Sequence, residues 1–89
     1  VVDQPLDTNR EYIAGRSKDC DIHLDEVTVS RQHLKIFFRD NAWHVQTLSK
    51  YSPLYLNNEP VDYSILKDGD SIKVVNYTFI FSQNNTHAQ

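Results

Sequence analysis

Apolar residues in this chain recur at every second position in short runs, and that spacing limits the fold more than any other feature. Across residues 33–38, Leu34, Ile36 and Phe38 fall on one side and Lys35 and Phe37 on the other. Residues 42–48 repeat the pattern, with Trp43, Val45 and Thr47 together. Successive side chains of a strand point to opposite faces, so both runs read as half-buried β-strands. Asp40-Asn41 between them is a tight-turn signal, and the runs are expected to pair as a hairpin. Residues 11–14, ended by Gly15, residues 20–24, and residues 54–56, ended by Asn57-Asn58, are further short strands. Residues 72–75 and 77–81 make a last pair with Asn76 at the turn, and Tyr77, Phe79 and Phe81 share a face. No stretch keeps a 3.6-residue period over two turns. The expected architecture is therefore an all-β sandwich of short strands, with its loops gathered at the ends. The chain has two glycines, so Asn and Asp must fill most of the positive-φ turn positions.

The 89 residues are enough for one domain and not for two. Residues 1–82 are expected to form it, residues 3–9 reading as a loop and residues 83–89 as a polar tail or linker. A net charge of −3 argues against general binding to nucleic acid, which requires a basic face. The longest apolar runs, such as Ile36-Phe37-Phe38, are far too short to span a bilayer, and no signal peptide is visible. Cys20 is the single cysteine, so no internal disulfide can form, and an intracellular setting, nuclear or cytoplasmic, is the simpler reading.

Polar residues stand where the strands begin. Arg16 follows the strand-ending Gly15, and Ser30 and Arg31 precede the strand that carries Leu34. In a sandwich both loops can meet at one end. Two guanidinium groups and a hydroxyl there suit a dianionic phosphate: a guanidinium can fork two of its oxygens and a hydroxyl can donate to a third.

These residues belong to a longer ordered set: Gly15-Arg16-Ser17; Cys20-Asp21-Ile22-x-Leu24; Val29-Ser30-Arg31-x-His33-x-x-Ile36; Leu56-Asn57; Leu66-x-Asp68-Gly69-Asp70-x-Ile72; Phe79-x-Phe81. In order and spacing this set resembles the forkhead-associated (FHA) domain, a phosphothreonine-reading β-sandwich of two mainly antiparallel, twisted sheets. The resemblance implies that Arg16 binds the phosphate, that Ser30 donates its hydroxyl to it, and that Arg31 lies beside the phosphate or the peptide backbone. It implies that Gly15 permits a close backbone turn, that His33 braces the binding loops, and that Asn57 belongs to the same structural support. Asp68-Gly69-Asp70 is then a turn and not a metal site. The implied partner is a phosphothreonine-containing protein segment, with neither nucleic acid nor membrane as ligand, no cofactor, no metal and no catalytic residue. As an isolated domain the chain is expected to be monomeric. The implied setting is a larger signalling protein, of the DNA damage response or the cell cycle.

One segment departs from the family pattern. Where the family has Ser-x-Asn-Gly-Thr, this chain has Lys50-Tyr51-Ser52-Pro53-Leu54. Ser52 offers one hydroxyl in place of an amide donor and carbonyl acceptor, and Pro53 has no N–H. Lys50, Tyr51 and Ser52 remain candidates for the peptide-binding surface, Lys50 adding positive charge. Only 14 residues precede Gly15, and Val1-Val2 is expected to be the remnant of a further strand.

Three rival readings remain. Cys20, His23, His33 and His44 invite a zinc site, but Cys20 and His23 are three apart in one expected strand and point to opposite faces. Ser30 and His33 invite a hydrolase, but no third group or Gly-rich oxyanion loop accompanies them. The serious alternative is a module of the same fold that binds partners or dimerises without phosphate, through a face carrying Phe37, Tyr55 and Ile80.

Overall fold

The computed structural model describes residues 5–50 and 54–82. Among these residues the strands are β1 (Tyr12–Gly15), β2 (Ile22–His23), β3 (Leu34–Arg39), β4 (Ala42–Thr47), β5 (Leu54–Leu56), β6 (Glu59–Val61), β7 (Tyr63–Leu66), β8 (Ser71–Val74) and β9 (Tyr77–Ile80). They form a five-stranded sheet in the order β2-β1-β3-β4-β7 and a four-stranded sheet in the order β6-β5-β8-β9. Every pair is antiparallel except β1 with β2. The expected Val1-Val2 strand and the tail at residues 83–89 lie outside the described residues.

The alternation seen in the sequence becomes the interior. Leu34 and Ile36 of β3, Val45 and Trp43 of β4, Leu54 of β5 and Ile72 and Val74 of β8 are buried in one core, with Leu24, Val29 and Phe81 closing its ends. Each such side chain contributes roughly 1.5–3 kcal/mol by leaving water. Trp43 makes edge-on contacts with Phe38 on the neighbouring β3 and with Phe81, just past β9 of the other sheet, at centroid distances of 5.3 and 6.3 Å.

Asp40 and Asn41 both have positive φ at the β3–β4 hairpin, and Asn57 and Asn58 do so at the β5–β6 hairpin. These are the positions where Asn and Asp replace glycine at least cost. The β8–β9 turn differs from expectation: its positive φ, 54°, falls on Val75 and not on Asn76. Gly69, with φ 88°, completes the Asp68-Gly69-Asp70 turn, which is closed by the Lys67 N–H donating to the Asp70 carboxylate.

Three further features depart from the sequence reading. The strand expected at residues 20–24 is reduced to Ile22–His23. Strands β6 and β7 were not anticipated; both are sheet edges, β6 carrying Glu59 and Pro60, and the chain passes from one sheet to the other across Asp62 alone. Proline is tolerated at an edge because no ladder bond is needed there. Finally, Phe37 is buried although it lies on the outer side of its sheet. Its ring stacks on His44 at 5.1 Å, and the Lys35 ammonium and the Arg39 guanidinium lie over it at 5.1 and 5.0 Å. Cationic side chains with long apolar stems cover an aromatic ring in this way. Phe37 therefore does not share an exposed face with Tyr55 and Ile80, which are exposed and belong to the other sheet.

Register decides where function can sit. Ala14 of β1 lies opposite Leu34 of β3, and Leu34 lies opposite Thr47 of β4. The segments after Gly15, before Leu34 and after Thr47 thus leave the five-stranded sheet at one end, and the Asp40-Asn41 hairpin closes the other.

Candidate functional site

At that end two loops are laced together by their main chains. The Arg16 N–H donates to the Ser30 carbonyl at 3.0 Å and the Ser17 N–H to the Arg31 carbonyl at 3.1 Å. Gly15 makes this approach sterically allowed: a Cβ there would stand 2.2 Å from the Arg31 carbonyl oxygen, a backbone atom that cannot swing aside. On the other side, Gly15 accepts from the Leu24 N–H at 2.8 Å, which anchors the chain leaving β2.

Arg16 is exposed, and its side chain is directed by a hydrogen bond from Nε–H to the Val29 carbonyl at 3.0 Å. Its Nη groups make no hydrogen bond among the described residues. The carbonyl of Arg16 faces the His23 ring, whose Nε2 lies 3.0 Å away. A carbonyl only accepts, so His23 carries a proton on Nε2.

Ser30 sits at the mouth of β3. Its N–H donates to Nδ1 of His33 at 3.1 Å, and its Oγ lies 2.8 Å from Oγ of Ser49. His33 is fully buried and stitches three segments: its N–H donates to the Ala14 carbonyl, and its own carbonyl accepts from the Leu48 N–H at 2.7 Å and from Thr47 Oγ1 at 3.4 Å. Burial pushes the His33 pKa below its ordinary value, and the neutral ring leaves Nδ1 free to accept. Its Nε2 is buried without a hydrogen-bond partner among the described residues. The ring meets the backbone of Ser30 and not its hydroxyl, so the pair is not arranged as a nucleophile and its base.

Arg31 points an exposed side chain from the same loop, while its carbonyl accepts from Cys20 Sγ–H at 3.1 Å as well as from Ser17. Burial pushes the Cys20 thiol pKa up, opposed by a backbone hydrogen bond from Ser17 and reinforced by Asp21 and Asp19. Cys20 and His23 thus serve two different carbonyls. Among the described residues no group of three His, Cys, Asp or Glu side chains gathers as a metal site would need.

Lys50 is exposed on the segment leaving β4. Tyr51 and Ser52 lie outside the described residues. Asn57 is not brought to this cluster. Its side chain donates to Asp70 and accepts from the Ser71 N–H, both at 3.0 Å, so it braces the β5–β6 turn against β8 rather than the loops around Arg16. Ser49 was not singled out in the sequence, and His23 only as a candidate zinc ligand. Ser49 stands two residues past the end of β4, and only the fold shows that it meets Ser30.

The cluster gathers the exposed Arg16 and Arg31 side chains and a hydroxyl pair on a rigid main-chain scaffold. Such an assembly suits a ligand that is anionic and rich in hydrogen-bond acceptors. A small cavity lined by Thr8, Arg10, Phe38 and Arg39 lies at the opposite end of β1 and β3 and contains none of these groups.

Comparison with known proteins agrees with this fold. Residues 12–75 match the FHA domain family. The chain is 38% identical over 68 residues to the glycogen accumulation regulator GarA of Mycobacterium tuberculosis, covering 76% of this chain and 42% of that protein. It is 33% identical over 81 residues to the oxoglutarate dehydrogenase inhibitor of Corynebacterium efficiens, covering 91% of this chain and 54% of that one. The chain thus spans about half the length of the curated relatives it matches. A solved structure described under phosphothreonine-dependent FHA domain interactions superposes with a TM-score of 0.77 at 30% identity, over 83% of this chain and 77% of the other. With the family match running from β1 to the β8–β9 turn, and with both sheets in place around it, the chain belongs to the FHA domain family.

Proposed function

We propose that this chain binds a phosphothreonine-containing segment of a partner protein, so that the association is switched by phosphorylation. The observation that carries the reading is the lacing of Arg16 to Ser30: the Arg16 N–H donates to the Ser30 carbonyl, which holds a guanidinium and a hydroxyl on adjacent loops. Arg16 takes two phosphate oxygens through its Nη groups and Ser30 donates its hydroxyl to the phosphate. Each charge-assisted hydrogen bond is worth roughly 1.5–3 kcal/mol. Arg31 and Lys50 add positive charge at the rim, and Tyr51 and Ser52 are proposed as further contacts to the peptide. Gly15 and His33 supply the support beneath it. The structure described under phosphothreonine-dependent FHA domain interactions supports this reading.

The relatives named above regulate glycogen accumulation and inhibit oxoglutarate dehydrogenase. We therefore place the partner among phosphorylated proteins of bacterial metabolic control, inside the cell, and not in the DNA damage response or the cell cycle. The chain acts by binding, a role that the FHA family match and the regulator relatives support.

Fluorescence polarisation against an oriented phosphothreonine peptide library, with phosphoserine and unphosphorylated libraries alongside, tests the proposal. Saturable binding to the phosphothreonine library alone is expected. Equal binding to the unphosphorylated library would mean that the partner is recognised without phosphate.

A further inference from the structure

We propose that His23 is a positioning residue for Arg16, fixing the peptide unit from which the phosphate-binding guanidinium extends. The inference rests on the phosphate reading of Arg16 given above.

The parallel ladder between β1 and β2 pairs Ala14 with Ile22 and Gly15 with His23, and the Leu24 N–H donates to the Gly15 carbonyl. The ladder stops there. The next carbonyl of the β1 side, that of Arg16, receives no main-chain donor from β2. The His23 side chain takes that place: its Nε2–H donates to the Arg16 carbonyl at 3.0 Å, extending the ladder by one rung.

Arg16 is then held at three points. Its N–H is bound to Ser30, its carbonyl is bound by His23, and its Nε–H is bound to Val29. The first and third contacts reach the loop that carries Ser30, whereas the second comes from β2. The peptide unit after Arg16 is otherwise held only at its other end, by the Ser17 N–H donating to the Arg31 carbonyl; without His23 its carbonyl can tilt about that single bond, and the Nε–H contact to Val29 loses its register. A long side chain that is already oriented gives up less freedom on binding. His23 is exposed and contributes nothing to the core, so its role is one of orientation. Because a carbonyl demands only a donor, glutamine can replace it: the amide N–H₂ of Gln stands the same number of bonds from Cβ as Nε2 of His.

The test compares the 89-residue chain with its His23→Phe, His23→Gln and Arg16→Ala variants. Solvent exchange of the Arg16 Nε–H is read by NMR without ligand, and affinity is read with an oriented phosphothreonine peptide library. In His23→Phe the Nε–H is expected to exchange faster and the library to bind roughly 3–10-fold more weakly, at an unchanged melting temperature. His23→Gln is expected to restore both. Wild-type behaviour in His23→Phe, or failure of His23→Gln to restore it, would overturn the proposal. If the wild type binds the library no better than Arg16→Ala, the phosphate reading itself fails, and the ligand-free exchange still decides whether His23 holds Arg16.

Discussion

The main-chain N–H of Ser30 donates to Nδ1 of His33 at 3.1 Å, so the loop that carries Ser30 is pinned by a fully buried imidazole. The contact needs a lone pair on Nδ1 and therefore the neutral ring. Burial holds the His33 pKa below its ordinary value of 6.5. In the unfolded chain the ring titrates at that ordinary value, so below it the unfolded state binds a proton that the folded state refuses. The stability that His33 contributes is complete above about pH 6.5 and declines as pH falls below that value, until the lowered folded pKa is passed. Urea unfolding at pH 7.5 and 5.5 is expected to show the loss, and His33→Gln is expected to reduce it. An equal pH dependence in the variant would remove His33 as its source.

Gly15 is a site of close packing and not of unusual φ. A methyl group there would meet the Arg31 carbonyl oxygen at 2.2 Å, and relief requires the two loops to separate. Gly15→Ala is expected to destabilise the fold by about 1–3 kcal/mol, the range for overpacking. It should also weaken phosphopeptide binding, because the displaced atoms belong to the Arg31 peptide unit. Chemical denaturation measures the first effect and polarisation the second.

Val75 carries a cost that a single substitution can relieve. A β-branched residue at φ 54° is strained, and the first position of a two-residue hairpin loop favours glycine when its φ is positive. Val75→Gly is expected to raise stability by about 1 kcal/mol, after allowance for the apolar surface lost from a partly buried side chain. A fall in the denaturation midpoint would show that this surface outweighs the strain.

Much of the fold was legible in the sequence, for reasons that lie in particular residues. The β3 and β4 runs alternate cleanly because each has one face on the core, and Asp40-Asn41 announces a hairpin and Asn57-Asn58 the end of β5 because few other residues accept positive φ. β6 was hidden because an edge strand tolerates Glu59 and Pro60, which argue against a strand anywhere else. The burial of Phe37 was hidden because Lys35 and Arg39, which cover it, read as exposed charges. Arg16, Ser30 and His33 were legible through an ordered family pattern, and the structure brings them together. The parts played by Ser49 and His23 were not, since each rests on one hydrogen bond between residues that only the sheet register makes neighbours.

Ser49 offers a graded test of the hydroxyl pair. Its Oγ lies 2.8 Å from that of Ser30 and helps to orient it. Ser49→Ala is expected to weaken phosphopeptide binding by roughly 2–10-fold, the worth of one hydrogen bond. Titration calorimetry would read it, and an unchanged affinity would mean that Ser30 orients its hydroxyl unaided.

The central claim, that Arg16 receives the phosphate, is tested most directly by the affinity of Arg16→Ala for a phosphothreonine peptide selected from the oriented library. A loss of at least about 2 kcal/mol, roughly 30-fold, is predicted, with the fold intact by circular dichroism. A loss below about 0.5 kcal/mol, little more than twofold, would contradict the account and place the phosphate elsewhere.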